Sequence, residues 1–139
     1  MFIGSQADPE LLQQVGRAAD FAFDLIVDDG SHMSDDQVAS LMYLWPFLKP
    51  PHGIYALEDL HAHVKFPDDF NQHQCEYPPM SDMLVQHMRR RLAADGCASG
   101  SPSIAAYGAI ALLLKRDEGP APDFKQFLKR ATTTAGGVG

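Results

Sequence analysis

Two apolar runs in this chain each end in a pair of acids: "FDLIVDDG" at 23–30 and "GIYALED" at 53–59. An unbroken apolar run of this length, without alternation, predicts a parallel strand covered on both faces by helices. Carboxylates cannot sit inside such a layer. Asp28, Asp29, Glu58 and Asp59 therefore mark strand ends, and the segment between the two runs must carry the chain back across the sheet. A helix is expected there. Ser34 with Gln37 reads as a capping box, and Val38, Leu41, Met42, Trp45 and Leu48 recur at helical intervals until "KPPHG" stops the pattern.

The rest of the chain extends the same alternation. "MFIG" predicts a short strand, and "ADPELLQQVGRAA" a helix capped by Asp8 with Pro9 at its first position. Residues 61–80 have no clean period and carry prolines, aromatics and histidines, the signature of a long functional loop. "SDMLVQHMRRRLAA" predicts a third helix, "SPSIAAYGAIALLLKR" a pair of short strands bent near Gly108, and "PDFKQFLKR" a last short helix. Residues 131–139, "ATTTAGGVG", have nothing to bury and read as a disordered tail. Strand and helix in alternation define an open α/β sheet, and ligands of such sheets sit outside the carboxyl ends of the strands.

Neighbouring parallel strands lie about 4.8 Å apart, so acids at the ends of two of them can converge on one point. Clustered carboxylates repel unless a cation joins them, and oxygen donors suit a hard divalent ion: Mg²⁺ most simply, with Mn²⁺ or Ca²⁺ as alternatives. Asp29, Glu58 and Asp59 are the candidate ligands. His32 follows Asp29 by one tight turn, with Gly30 expected to let the backbone reverse, and an imidazole there can take a proton from a hydroxyl acidified by the metal. Acids after parallel strands also serve as helix caps or solvated turns, and spacing alone does not separate the two uses. His61 and His63, with His52 and His73 nearby, read as residues of an exposed loop more readily than as a second metal site. Trp45 and Tyr55 read as core, and "RRR" at 89–91 as the solvated face of its helix.

A net charge of -7 without a clustered basic surface argues against nucleic acid as the partner. The longest apolar run, "AIALLL" at 109–114, is far too short for a membrane span, and Cys75 and Cys97 lack metal-ligand spacing. A reducing, cytoplasmic location is the expectation, with a small molecule as partner and self-association left open.

Taken together, "FIGSQADPELLQQV" and "FDLIVDDGSHMSDDQVASLMYLWPFLKPPHGIYALEDLH" resemble the class I S-adenosylmethionine-dependent methyltransferases of the macrocin and mycinamicin sugar O-methyltransferase type. That family runs glycine-Asp-Gln after its third strand, Asp-Asp-Gly-Ser-His after its fourth and Glu-Asp-Leu-His-Thr after its fifth. The resemblance implies an incomplete Rossmann-like methyltransferase sheet over residues 1–130, mostly parallel with a C-terminal antiparallel pair. It implies Mg²⁺ on Asp29, Glu58 and Asp59, His32 as the base, and Ser5, Gln6 and Asp28 beside S-adenosylmethionine. It also implies a sugar or polyketide-like hydroxyl acceptor. Ser5 stands where the family has an aspartate, and "HAHV" at 61–64 replaces a His-Thr-Ser-aromatic run. The family's glycine-rich turn after the first strand has no counterpart in this chain. The strands that separate "MFIG" from "FDLIV" in the family are missing too, so residues 2–5 are expected to slide in beside 23–28. Two other readings stand beside this one: an inactive methyltransferase-like binding or dimerisation module, and the related cephalosporin hydroxylase or rhamnosyl methyltransferase group.

Overall fold

The computed structural model describes residues 1–20, 22–70, 74–93, 103–107, 109–116 and 121–127. Helix α1 (Pro9–Ala18) starts where the chemistry of its first residues says it must: the Asp8 carboxylate accepts from the Glu10 and Leu11 N–H groups at 2.9 and 3.2 Å. These are donors that a helix start leaves without partners. Strand β1 (Leu25–Asp28) follows, then helix α2 (Ser34–Leu44), which tightens into a 3₁₀ turn at Trp45–Phe47. Strand β2 (Ile54–Leu57), a one-turn helix α3 (Ala62–Lys65) and helix α4 (Met80–Ala93) come next. Strands β3 (Ser103–Tyr107) and β4 (Ile110–Leu114) and a 3₁₀ turn at Lys125–Phe127 complete the order.

The sheet runs β1-β2-β4-β3. β1 and β2 are parallel, with Asp28 opposite Leu57, while β4 is antiparallel to both β2 and β3. Because the crossover from β1 to β2 is parallel, both strands deliver their carboxyl ends, and their acids, to the same edge of the sheet.

One face carries the core. Tyr55 and Leu57 of β2 and Ala111 and Leu113 of β4 are buried against Leu12 of α1, Val38, Leu41 and Leu44 of α2, and Met83 and Leu84 of α4. Gly16 lets α1 lie close: a Cβ there would collide with the Phe47 ring. The opposite face differs from expectation. By the twofold alternation of strands, Leu25, Val27, Ile110 and Leu112 share it, and they stay 55%, 51%, 38% and 41% exposed. β1 is thus covered on one face only.

Two further expectations are corrected. Residues 2–5 form no strand; Phe2 and Ile3 are exposed, and the Asp8 N–H already closes a turn on the Ser5 carbonyl at 3.1 Å. Four residues bury too little at a sheet edge to offset the entropy of ordering them, roughly 1–2 kcal/mol each. The α2 capping box is also absent. Met33 is the N-cap, and the Ser34 hydroxyl donates instead to the Tyr77 carbonyl at 3.0 Å. The long 61–80 segment contains α3, and Asp35 fastens its far end by accepting from the Glu76 and Tyr77 N–H groups at 2.8 and 2.9 Å. The C-terminal strand pair is present as an antiparallel hairpin. Residues 131–139, Cys97 and His73 lie outside the described residues. No helix among the described residues is long and apolar enough to cross a membrane.

Candidate functional site

Asp28 is the last residue of β1, and its side chain turns into the core face. It is buried, with Gln6 Nε2 donating to Oδ1 at 2.6 Å and the Tyr55 hydroxyl donating to Oδ2 at 2.9 Å. The other end of the same amide accepts the Ser31 N–H at 2.7 Å, so Gln6 ties the turn after β1 to the start of α1. Burial raises the Asp28 carboxyl above its ordinary 3.8, against the opposing pull of Tyr55, the Gly30 backbone, Gln6 and His32. Tyr55 is held protonated far above the usual phenol range by the same burial and by the Asp28 charge.

Gly30 earns its place by close approach rather than by reversal. A Cβ there would run into the Gln6 amide, whereas the left-handed turn falls two residues later, on His32, at φ 57°. Asp59, beyond β2, is also left-handed at φ 47°. Non-glycine residues adopt this conformation at a cost, and such residues gather at sites where the surroundings hold them there.

The two left-handed turns bring their side chains together. Asp29, His32 and Asp59 each offer a ligand atom, and these atoms all lie within 4.8 Å of one another. His32 Nε2 is 3.8 Å from Asp29 Oδ1, with its ring edge-on to Phe70 at 5.4 Å. Asp29 and Asp59 are exposed, while the His32 side chain is mostly covered. Glu58 is half-buried and lies outside this cluster; its N–H donates to the Asp28 carbonyl at 3.0 Å. His61 Nδ1 stands 4.0 Å from Asp59 Oδ1. Among the described residues no second cluster of three potential ligands is found.

The donor set suits a hard divalent cation. Two exposed carboxylates supply oxygen and leave room for water, as Mg²⁺ requires, and an imidazole stands beside them. Beside the cluster, a cleft of about 340 Å³ is lined by Gln6, Val27, Asp28, Gly30, Ser40 and Tyr55 among others. Ser5 is exposed and accepts the Ala7 N–H at 3.1 Å, outside that lining. Asp28 and Gln6 have their polar atoms engaged with each other and with Tyr55 and Ser31, so they form a wall of the cleft rather than spare ligands. Tyr55, read from sequence as core, is both core and the partner of Asp28. A tyrosine opposite Ile26, two residues from the strand-end acid and so on the same sheet face, was the available signal.

A parallel pair extended by an antiparallel hairpin matches part of the fold of solved methyltransferases. Three solved structures of MycE methyltransferase from the mycinamycin biosynthetic pathway, complexes with Mg and SAH, share it at TM-scores of 0.61, 0.61 and 0.62 and 22%, 24% and 22% identity. The matches cover 83%, 87% and 98% of this chain and 31%, 33% and 38% of theirs. In sequence, the chain is 39% identical over 59 residues to demethylmacrocin O-methyltransferase of Streptomyces fradiae. It is 37% identical over 57 residues to mycinamicin VI 2''-O-methyltransferase of Micromonospora griseorubida. These segments span 42% and 41% of this chain and 14% of each relative. No family model matches the chain.

Proposed function

We propose that this chain is the acceptor-activating portion of a metal-dependent O-methyltransferase, which moves a methyl group from S-adenosylmethionine to a hydroxyl of a sugar or natural-product acceptor. The convergence of Asp29, His32 and Asp59 within 4.8 Å carries this reading. Asp29 and Asp59 would hold the cation, with Glu58 next to Asp59 in the chain as the remaining oxygen donor. When bound, Mg²⁺ supplies Lewis acidity that lowers the pKa of a nearby hydroxyl. His32 takes the hydroxyl proton on its imidazole, with the Asp29 carboxylate 3.8 Å away. Phe70 shields one side of the ring from water. Gln6 and Asp28 act by shape: their hydrogen bonds fix the turn that presents Asp29 and His32, and they wall the adjoining cleft. Those residues fit one side of a cofactor site, and the glycine-rich turn that would complete it is not in this sequence.

Among the described residues no strand pairs with the outer edge of β1, and with Leu25 and Val27 exposed beside it this favours a second reading as a non-catalytic binding or dimerisation module. Calorimetric titration separates the two. Mg²⁺ is expected to bind saturably to the wild-type chain and at least tenfold more weakly to Asp29→Asn and Asp59→Asn, with S-adenosylmethionine binding tightened by the metal. Cation binding unchanged in both variants would remove the catalytic reading and leave the module.

A further inference from the structure

Asp29 and His32 follow β1 and Asp59 follows β2, so the cluster has two halves carried by separate turns. Strand pairing ends at Asp28 and Leu57, with the Glu58 N–H on the Asp28 carbonyl one step further, and the aim of the three side chains is set by what lies beyond. Both His32 and Asp59 hold left-handed backbone, which non-glycine residues keep where neighbouring structure over-determines them. A run of hydrogen bonds leads from one half toward the other. The Asp59 carbonyl accepts the Ala62 N–H at 2.8 Å, the Ala62 carbonyl accepts the Phe66 N–H at 2.8 Å, and the Phe66 carbonyl accepts the Phe70 N–H at 3.0 Å. The last link is a turn that "FPDDF" encodes locally: Pro67 stands where its fixed φ suits the turn, and the Asp69 N–H closes on the Phe66 carbonyl at 3.1 Å. At its end the Phe70 ring meets the His32 ring edge-on, centroids 5.4 Å apart and planes at 71°, and the Phe66 ring backs Phe70 at 6.5 Å.

We infer that Phe70 is a positioning residue for the cluster: residues 59–70 form a brace that starts on Asp59 and sets an aromatic ring against His32, so that the two halves share one geometry. What the cluster binds rests on the functional reading above; the coupling of its halves through Phe70 is the addition. Exposure favours a brace over a loose loop. Pro67, Asp68 and Asp69 are exposed, whereas Phe70 at the end of the same turn is half-buried, and the His32 side chain against it is 13% exposed where that of Asp29 is 61%. A phenylalanine offers a cation no oxygen or nitrogen donor, so any effect of its loss on cation binding must pass through His32 and the turn that holds it. An edge-to-face ring pair contributes about two- to tenfold to an equilibrium constant, and a cluster found less often in its binding geometry loses apparent affinity in proportion.

The test is magnetic resonance on the isotope-labelled full chain, comparing wild type with Phe70→Tyr, Phe70→Leu and Phe70→Ala. In metal-free buffer the His32 ring protons are expected to carry a ring-current shift that Phe70→Tyr keeps and Phe70→Leu removes, while the amide signals of β1, β2 and β4 stay in place. Mg²⁺, titrated into each chain and followed at the Asp29 and Asp59 amides, should bind about fivefold more weakly to Phe70→Leu and Phe70→Ala and within about twofold of wild type to Phe70→Tyr. Leucine fills space without presenting a ring edge, so rescue by tyrosine alone separates positioning from bulk. Equal Mg²⁺ affinity in wild type and Phe70→Leu overturns the inference, as do His32 ring signals that are the same in both. Mg²⁺ that fails to bind the wild-type chain removes the functional reading instead, and the metal-free spectra then decide the brace on their own. Loss of the ring must move the amide signals of both turns, 29–32 and 59–62; a change confined to 66–70 overturns the coupling.

Discussion

Gln6 shows how a single side chain can organise a site it does not visibly serve. Its amide joins Asp28 to the Ser31 backbone across Gly30, and only the missing Cβ of Gly30 leaves room for it. Gly30→Ala is expected to displace the amide and lower stability by about 1–3 kcal/mol, the cost of leaving buried hydrogen-bonding groups without partners. In a Gln6→Ala background the same change should become nearly neutral, because the obstacle is gone. Urea unfolding of the four species closes that cycle, and additive losses would show that the glycine is needed for some other reason. Asp28 makes a prediction with a definite sign. Its folded-state pKa is raised above 3.8 by burial, so the stability this group contributes is complete below that value and is lost as pH rises through the raised pKa. In metal-free buffer, the unfolding free energy of Asp28→Asn relative to wild type should therefore climb as pH rises above 3.8 and then level off; a difference constant with pH would contradict the burial argument. Of these features, sequence shows the acids and the glycine. It does not show that Asp28 turns inward while Asp29 turns out, although strand alternation alone separates neighbours onto opposite faces.

Elements were legible where their determinants are local. The α1 start lies within four residues of chain, from Asp8 to Leu11, and its cap is formed as read. The α2 start was misread because the Ser34 hydroxyl is drawn to Tyr77, a partner 43 residues away that no local window contains. The "MFIG" strand failed for the complementary reason: its local pattern suits a strand, but a strand exists only with a neighbour, and among the described residues none pairs with it. The junction after α2 holds a contact equally hidden from sequence. Lys115, buried just past the end of β4, donates from Nζ to the Leu48 carbonyl at 2.9 Å and to those of Trp45 and Pro46 at 3.3 and 3.4 Å. Lying at the end of the "AIALLLKR" run, this lysine closes the carbonyl end of the 3₁₀ turn. Lys115→Met keeps the aliphatic stem and removes the donor. It should cost about 1–3 kcal/mol in thermal or urea unfolding, and a loss below about 0.5 kcal/mol would mean that water satisfies those carbonyls.

At the scale of the whole molecule, the sheet has a packed face and an open one, and the alternation of β4 states the difference within five residues. Ala111 and Leu113 are fully buried against the helices, while Ile110 and Leu112 point the other way and remain partly exposed. From sequence, "AIALLL" is uniformly apolar and gives no hint of which face is covered, because apolarity reports what a residue tolerates rather than what packs on it. The site is insulated from this asymmetry. Asp28, Gln6 and Tyr55 lie on the packed side, and the Asp29, His32 and Asp59 cluster sits at the strand ends, where neither face decides the geometry. Two lysine substitutions make the contrast measurable. Val27→Lys and Leu112→Lys, on the open face, should change unfolding free energy by less than about 0.5 kcal/mol, as surface substitutions do, and should raise solubility. Leu113→Lys, one residue from Leu112, should remove more than about 4 kcal/mol by burying an unpaired charge, enough to abolish cooperative unfolding in a chain of ordinary stability. If Leu112→Lys proved as damaging as Leu113→Lys, the second face would be packed in solution, and a layer of structure would have to lie against β1, β2 and β4 on the side away from α1 and α2.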